Sequence, residues 1–292
     1  YALIGFILPL FRKCRDNTLL IWGVLLLLSP LLIDFIRLLT QWSPGDFLLP
    51  LAQATDKING IPLDDSFYDH LYKKESGWNE LHGWQQSGWM WRYQYILDSN
   101  RIPKVLGIFL LGYYAGRKMI YRNLEDNRAL FRSIFKWGLI IGLPISFVMA
   151  GFKIDGKNVP RNWVGLLDTL TYAISVVPLS LSYVAAICLI WIKTKGSTVF
   201  RFAAPVGRMA LSNYLFQTII SIFIFYGVGL GLGLKMGPAI FLPMALFIYF
   251  IQIILSTYWF KYFQFGPLEW IWRQMTYAKR FPIRKEKTPT EN

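Results

Sequence analysis

The sequence of 292 residues is 54% hydrophobic and only 16% charged, whereas soluble proteins average about 25% charged residues. This composition excludes an ordinary soluble domain and predicts a polytopic, all-α membrane protein in a lipid bilayer. The net charge of +14 would also suit a nucleic-acid-binding protein, but the basic residues lie in short loops between apolar runs, as in membrane proteins, so we exclude nucleic acid as a partner.

The first apolar run, residues 1–11, ends at Arg12 and is too short for a hydrocarbon core of about 30 Å. We therefore expect a truncated crossing that begins upstream of the present sequence. The second predicted crossing, residues 19–39, contains Asp34 and Arg37 near its far end. Three residues apart on a helix, they can pair. An interfacial ion pair and a role in a polar cavity both stay open.

Residues 40–103 are polar and aromatic and are interrupted by glycine and proline, which predicts an extracytoplasmic insertion with interfacial helices. Both histidines, His70 and His82, lie here and are weak candidates for a catalytic base. Asp65, Asp69 and His70 match no recognised ligand spacing. We therefore predict a solvated acidic loop and no metal site.

Residues 104–277 are predicted to hold five more crossings, which completes a bundle of about seven. In the third crossing, Gly112 and Gly116 form a small-xxx-small pair that predicts close helix packing. The densest basic loop, residues 117–136, follows this crossing. Because cytoplasmic loops are enriched in lysine and arginine, this loop and the C-terminus are predicted to be cytoplasmic.

The fourth and fifth predicted crossings, residues 134–150 and 166–192, each contain a proline. Pro144 is expected to kink the fourth crossing, and Pro178 lies in the middle of the fifth. Asp168 lies near the outer end of the fifth crossing, where it is a candidate for a polar site.

The sixth predicted crossing, residues 206–236, carries the most informative polar side chains. Arg208 lies at its cytoplasmic mouth, and Asn213 and Gln217 share a helical face next to Tyr214. Unpaired amides are costly in lipid, so this face must contact protein or a cavity. Two interpretations stay open: interhelical hydrogen bonding, or a pocket in which Arg208 binds an anionic group such as a donor phosphate. The glycines that follow at every second position predict close packing: Gly227, Gly229, Gly231 and Gly233.

Beyond the last predicted crossing, residues 238–260, a short amphipathic helix is expected at the membrane surface. Glu269 and Arg273 are four residues apart in this helix and are expected to be able to pair. Trp270 and Trp272 are expected to anchor the helix at the interface. Residues 278–292 are basic and polar, which predicts a disordered cytoplasmic tail.

Two signatures in this region resemble a bacterial membrane family. The first comprises Gly207, Arg208, Met209, Ala210, Leu211, Ser212, Asn213 and Tyr214, and the second includes Phe265, Gly266, Pro267, Leu268, Glu269, Trp270, Ile271, Trp272 and Arg273. Together they resemble the C-terminal half of the family catalogued as domain of unknown function 418, the YeiB-like proteins. That family is distantly similar to membrane acyltransferases of the glucosaminide acetyltransferase type.

The resemblance implies an acyltransferase of the bacterial cytoplasmic (inner) membrane. It would move an acyl group such as acetyl from a cytoplasmic thioester, such as acetyl-coenzyme A, to an extracytoplasmic or lipid-linked acceptor. Arg208 and Asn213 would then lie on the donor side, and Asp34, Arg37 and Asp168 on the acceptor side. The base is expected upstream of the present sequence, and no bound cofactor is predicted. A small-solute transporter and a non-catalytic membrane subunit stay open as alternatives, as does a homo-oligomer.

Overall fold

The structure, a computed structural model, describes residues 1–62, 66, 71–73, 76–152, 162–195 and 198–285. All regular elements in this part are helical, which confirms the predicted all-α fold class; one isolated antiparallel bridge joins Phe263 and Arg284. The α-helices are α1 Ala2–Gly5, α2 Asp16–Thr40, α3 Leu49–Ile58, α4 Trp78–Asp98, α5 Arg101–Arg117, α6 Arg128–Gly151, α7 Trp163–Thr194, α8 Thr198–Arg208, α9 Ala210–Phe225, α10 Pro238–Tyr262 and α11 Pro267–Tyr277. Two short 3₁₀ helices cover Leu8–Phe11 and Asp46–Leu48.

Four of these helices, α2, α6, α7 and α10, are 24 to 32 residues long and apolar enough to cross a membrane. A hydrocarbon core needs about 20 residues of helix. Large side chains on these helices are exposed, among them Leu32 at 64% and Phe147 at 72%, which indicates contact with lipid. The pair α8 and α9 supplies a fifth span if it is counted as one broken helix. The count of about seven crossings stays a prediction.

The chain forms two compact units. Unit 1 comprises Tyr1–Ala52 and Trp89–Lys195, and unit 2 comprises Gln53–Gly88 and Gly196–Asn292. The domain boundaries predicted from the sequence, after residues 39, 103 and 277, separate segments by their expected position relative to the membrane. Since the two units are defined by compactness alone, those boundaries stay predictions.

In unit 1, α6 packs against α7 at two glycines. A Cβ atom on Gly138 would come within 2.5 Å of the Pro178 carbonyl oxygen, and one on Gly142 within 3.0 Å of the Ser175 carbonyl oxygen. Only glycine allows this approach of the two backbones. Both helices continue through their internal prolines, Pro144 and Pro178, without a break in helical structure.

Helices α2 and α5 of unit 1 also meet at glycines. A Cβ atom on Gly107 would lie 2.9 Å from the Gly23 carbonyl oxygen. Gly112 and Gly116 of the same α5 helix have no atom within 4 Å of such a Cβ position. The prediction of close packing at Gly112 and Gly116 was therefore wrong, because a spacing motif does not reveal which face of a helix meets its neighbour.

In unit 2, the sixth predicted crossing is not one continuous helix. Helix α8 ends at Arg208, the chain bends by 82° at Met209, and α9 ends before the four glycines. Gly227, Gly229 and Gly233 pack closely, but in a loop: a Cβ atom on Gly229 would lie 1.9 Å from the Phe223 carbonyl oxygen. Gly231 has a φ of 62°, a left-handed conformation that favours glycine.

The end of the described chain folds back onto unit 2. The backbone N–H of Gln264 donates to the carbonyl oxygen of Ile283 at 2.9 Å, and that of Lys285 donates to the carbonyl oxygen of Tyr262 at 3.0 Å. These bonds hold a segment that was predicted to belong to a disordered tail, so that prediction was wrong as far as residue 285. Residues 286–292 lie outside the described part of the chain.

Candidate functional site

A partly buried polar cluster in unit 1 is centred on Asp34, near the end of α2. One carboxylate oxygen of Asp34 accepts hydrogen bonds from Arg37 and from Asn100, both at 2.9 Å. The other oxygen accepts from the Thr169 hydroxyl of α7 at 2.7 Å. These four side chains form what we call the Asp34 cluster, which ties α2 to α7 and to the junction between α4 and α5.

Arg37 extends this cluster to the end of α4. Its guanidinium donates to the carbonyl oxygens of Asp98 at 2.6 Å and Leu97 at 3.0 Å. The last carbonyl groups of a helix lack intrahelical partners and carry partial negative charge, so a cation there satisfies and neutralises them. The predicted ion pair between Asp34 and Arg37 is confirmed at 2.9 Å. Both side chains are thus held by protein groups.

The carboxylate of Asp98 fixes the loop that follows α2. It accepts hydrogen bonds from the Ser43 hydroxyl at 2.5 Å and from the Gly45 backbone N–H at 2.9 Å. It also accepts a bond from Gln94, one turn earlier in α4. No local pattern indicates this role, because Ser43 and Asp98 are distant in the chain and Asp98 belongs to no motif.

A pocket of about 340 Å³ lies in unit 1, next to the Asp34 cluster along α5. Its lining residues are Tyr1, Tyr95, Ser99, Arg101, Lys104, Val105, Ile108, Phe109 and Tyr172. Because two cations and several aromatic rings line it, we call it the cationic pocket. This composition suits a ligand with an anionic group and an apolar part.

The two cations are held in place by aromatic side chains. The Arg101 guanidinium donates to the hydroxyl oxygens of Tyr1 at 3.2 Å and Tyr95 at 3.4 Å. The Lys104 ammonium donates to the Ser99 carbonyl oxygen at 3.0 Å and lies 4.3 Å from the centroid of the Tyr172 ring. An ammonium group has three donors, so Lys104 retains capacity to bind a ligand.

Asp168 belongs to the surroundings of this pocket. It lies on α7, and its carboxylate and that of Asp34 both act electrostatically on Lys104. The structure therefore brings together Asp34, Arg37 and Asp168, which were predicted on the acceptor side. Lys104 was missed as a site residue because lysines are common at the ends of membrane-spanning helices, so its position at the start of a predicted crossing indicated no special role.

In unit 2, the two signatures of the sequence cap each other's helices. Ser212 is in the first turn of α9, and its backbone N–H and hydroxyl donate to the two carboxylate oxygens of Glu269 at 3.0 and 2.6 Å. Glu269 is in the first turn of α11, and the Leu268 N–H of that turn donates to the Ser212 hydroxyl oxygen at 3.1 Å. Neither helix has a side-chain cap of its own. Each therefore supplies the partner for the other's exposed N–H group.

This arrangement explains why Gly266 precedes α11. A Cβ atom at that position would lie 2.1 Å from a carboxylate oxygen of Glu269 and 2.5 Å from the Met209 side chain. The expected pairing of Glu269 with Arg273 was wrong, because both oxygens of Glu269 bind Ser212. The Arg273 guanidinium instead lies 4.8 Å from the centroid of the Phe265 ring.

The amides of α9 and α10 form a second network in unit 2. The Asn213 side chain donates to the Ser256 hydroxyl at 3.0 Å, and the Gln252 side chain donates to the Asn213 carbonyl oxygen at 3.0 Å. Gln217 donates to the Gln252 side-chain oxygen at 2.9 Å. These contacts are the interhelical hydrogen bonds of the first interpretation. Tyr214 lies off this face and is 67% exposed.

Arg208 and Trp270 make different contacts from those expected of a pocket wall and a lipid anchor. The Arg208 guanidinium lies 4.2 Å from the centroid of the Phe260 ring and donates to the Gln264 carbonyl oxygen at 3.3 Å. Arg208 is exposed, and most of its five N–H donors stay available. The Trp270 indole donates to the Phe281 carbonyl oxygen at 2.7 Å, which fixes the folded-back tail.

Of the two histidines, the structure describes His82, which takes part neither in the Asp34 cluster nor in the amide network of unit 2. His82 lies exposed on α4 and contacts Gln86 of the same helix at 2.9 Å. Asp65, Asp69 and His70 lie outside the described residues. In the part of the chain that the structure describes, no group of three or more His, Cys, Asp or Glu side chains is arranged to bind a metal ion.

Comparison with known proteins relates the chain to a family of bacterial proteins of unknown function. A family model described as "Protein of unknown function (DUF418)" matches residues 115–279. The chain is 29% identical over 286 residues to the Bacillus subtilis (strain 168) "Uncharacterized protein YxaH", an alignment that covers 98% of the chain and 67% of that protein. It is 31% identical over 195 residues to the "Uncharacterized 39.9 kDa protein in amylase 3'region" of Bacillus acidopullulyticus, over 62% of the chain and 55% of that protein.

A more distant relative is the "Uncharacterized protein YeiB" of Escherichia coli (strain K12), 25% identical over 254 residues, which cover 87% of the chain and 60% of that protein. The chain thus spans 55 to 67% of the length of these three relatives. No solved structure gives a significant match. The signatures discussed above fall inside the residues that the family model matches, whereas most of the Asp34 cluster (Asp34, Arg37 and Asn100) and most of the cationic pocket precede them.

Proposed function

The chain belongs to the DUF418 family of bacterial proteins, and from this premise we propose that it acts in the membrane as an acyltransferase with an anionic, lipid-linked acceptor. The acyl group comes from a cytoplasmic thioester such as acetyl-coenzyme A. The observation that supports the proposal is the cationic pocket of unit 1, where Arg101 and Lys104 lie beside the partly buried Asp34 cluster.

The pocket fits the headgroup of such an acceptor. Ligand pockets commonly measure about 300 to 1,000 Å³, and the pocket's volume of about 340 Å³ suits a phosphate with one attached group. Arg101 and Lys104 would bind the phosphate oxygens. A hydrocarbon chain would leave along the exposed apolar face of the helices. The Asp34 cluster, whose hydrogen bonds join α2 to α7 and to the end of α4, keeps the surrounding helices in register.

The transfer itself needs an acceptor hydroxyl oxygen or amine nitrogen that attacks the thioester carbonyl carbon. The carbon–sulfur bond breaks, the acyl group moves to the acceptor, and the acceptor's proton is transferred to the leaving thiolate, directly or through a base. We assign Asp168 to positioning the acceptor near Lys104. Arg208, an exposed cation, is assigned to the donor phosphates. Asn213 and Gln217 hold α9 against α10, and we assign the exposed Tyr214 to the donor side as well.

The test uses the full-length protein in liposomes with acetyl-labelled acetyl-coenzyme A. We expect transfer of label to lipid, and a loss of about tenfold or more in Lys104→Ala, since a charge-assisted bond contributes about 1.5 to 3 kcal/mol. The matched control is Lys136→Ala, which removes an exposed lysine that lies 5.8 Å from the Trp137 ring of α6. Equal rates in wild type and Lys104→Ala, or no turnover in any lipid mixture, would contradict the proposal.

A small-solute transporter is the second candidate, and the bend between α8 and α9 favours it. Transporters commonly place binding sites at discontinuous helices, and the 82° bend at Met209 is followed by polar side chains. The same liposomes distinguish the two functions. Uptake or release of solute without thioester turnover would support transport, whereas turnover without solute movement would support the acyltransferase.

A further inference from the structure

The C-terminal end of unit 2 carries a basic surface. Residues 261–285 contain six lysine and arginine residues and a single carboxylate, Glu269, whose two oxygens both accept hydrogen bonds from Ser212. The six cations are all exposed: Lys261, Arg273, Lys279, Arg280, Arg284 and Lys285. The segment therefore presents positive charge that no carboxylate of its own neutralises.

The folded-back tail concentrates these charges. The Lys285 backbone N–H donates to the Tyr262 carbonyl oxygen at 3.0 Å, which places Lys285 beside Lys261. The Gln264 side chain donates to the Arg284 carbonyl oxygen at 3.1 Å. Both bonds use backbone atoms of the tail, so the ammonium and guanidinium groups are left to point outward and bind another molecule.

Helix α11 adds an apolar face to the same surface. Ile271, Trp272 and Met275 are 46%, 65% and 76% exposed. At about 100° per residue, Ile271 and Met275 lie on the side of the helix away from Glu269, and Trp272 lies between that side and Glu269. A tryptophan beside cations is typical of elements at the headgroup level of a membrane.

We propose that this surface, formed by residues 261–285, binds the headgroups of anionic phospholipids, with the apolar face of α11 at the boundary of the acyl chains. The cations match the charge of the headgroups, and each contributes about fivefold to binding. The exposed apolar face of α11 can contact acyl chains, which a phospholipid has and a soluble polyanion lacks. The surface would couple unit 2 to the lipid composition of its leaflet, independently of whether the protein transfers acyl groups.

The experiment titrates the full-length protein in neutral detergent with short-chain phosphatidylglycerol or phosphatidylcholine and measures binding by calorimetry. The test variant replaces four tail cations by glutamine: Lys279→Gln, Arg280→Gln, Arg284→Gln and Lys285→Gln. The control removes four exposed cations of unit 1: Arg122→Gln, Arg128→Gln, Arg132→Gln and Lys136→Gln. Both variants lose the same net charge, and thermal unfolding without lipid checks that each is folded.

We expect the wild type to bind phosphatidylglycerol about tenfold or more tightly than phosphatidylcholine, and the tail variant to lose that preference. The control variant should keep most of it. Raising the salt to 1 M, where the Debye length is about 3 Å, should weaken binding to the wild type. Equal losses in the two variants, or an equal affinity for both lipids, would overturn the proposal.

A single substitution separates lipid from a soluble anion. Trp272→Ala should weaken binding of phosphatidylglycerol severalfold, whereas Trp137→Ala, which removes another exposed tryptophan of 55% exposure, should not. Inorganic phosphate should compete only weakly. Binding that is unaffected by Trp272→Ala, or that inorganic phosphate displaces at millimolar concentration, would show a site for free anions and would overturn the lipid assignment.

Discussion

The reciprocal caps of α9 and α11 make a quantitative prediction. The substitution Ser212→Ala removes the hydroxyl that donates to Glu269 at 2.6 Å and accepts from the Leu268 N–H at 3.1 Å. It keeps the backbone bond from residue 212 to Glu269. A hydrogen bond to a charged group contributes about 1.5 to 3 kcal/mol and a neutral one about 0.5 to 1.5 kcal/mol. Because both are partly replaced by water, we expect a net loss of about 2 kcal/mol.

Glu269→Gln tests the same contact from the other side. An amide group keeps one oxygen acceptor, but its NH₂ group cannot accept a hydrogen bond, so one of the two bonds from Ser212 is lost. The favourable interaction of the carboxylate with two helix N-termini is lost as well, which adds about 0.3 to 1 kcal/mol per helix. We expect this variant to lose about 2 to 4 kcal/mol of unfolding free energy.

The assay is equilibrium unfolding of the purified full-length protein in mixed detergent micelles, with a double-mutant cycle. Since Ser212 and Glu269 share their bonds, the cycle should give a coupling energy of about 1 to 3 kcal/mol. The controls are Ser180→Ala and Glu125→Gln, at exposed positions of unit 1. Additive effects of the two substitutions, with no coupling, would refute the reciprocal capping of α9 and α11.

Three further predictions use the same unfolding measurement. Gly142→Leu should destabilise by about 1 to 3 kcal/mol, because the side chain would collide with the backbone of α7; Gly112→Leu, which meets open space, should have little effect. Asp34→Asn should cost about 1 to 3 kcal/mol, since Arg37 loses a charged acceptor and one of the Asp34 cluster's donors loses its partner. Gln252→Leu should cost a similar amount, because Gln252 is 1% exposed and bonds two partners on α9. Losses below about 0.5 kcal/mol would contradict each assignment.

The membrane-spanning helices could be predicted from the sequence because their signal is long and local. An apolar run as long as α2 or α10 indicates a membrane-spanning helix without any information about the rest of the fold. The break at Met209 was missed because no local signal places a bend there: Met209, Ala210 and Leu211 are all compatible with a continuous helix. The cap at the first turn of α9, where the new helix begins, comes from Glu269, far along the chain.

The polar sites were predictable only in part. Asp34 and Arg37 lie on one helix, so their spacing revealed the pair. Their further partners, Asn100 and Thr169, come from other helices, and nothing in the local sequence marks them. In the same way, the sequence placed Asn213 on a polar helical face. Its partner Ser256 could not be identified without knowing how α9 packs against α10.

The central claim is that the cationic pocket of unit 1 holds the anionic group of a lipid-linked acceptor. Its most direct test is equilibrium binding of a polyprenyl phosphate to the full-length protein in neutral detergent, for wild type, Lys104→Ala and Lys136→Ala. We predict binding to the wild type and to Lys136→Ala with similar affinity, and a dissociation constant about tenfold or more higher for Lys104→Ala. Equal affinity of all three proteins would contradict the assignment of the pocket.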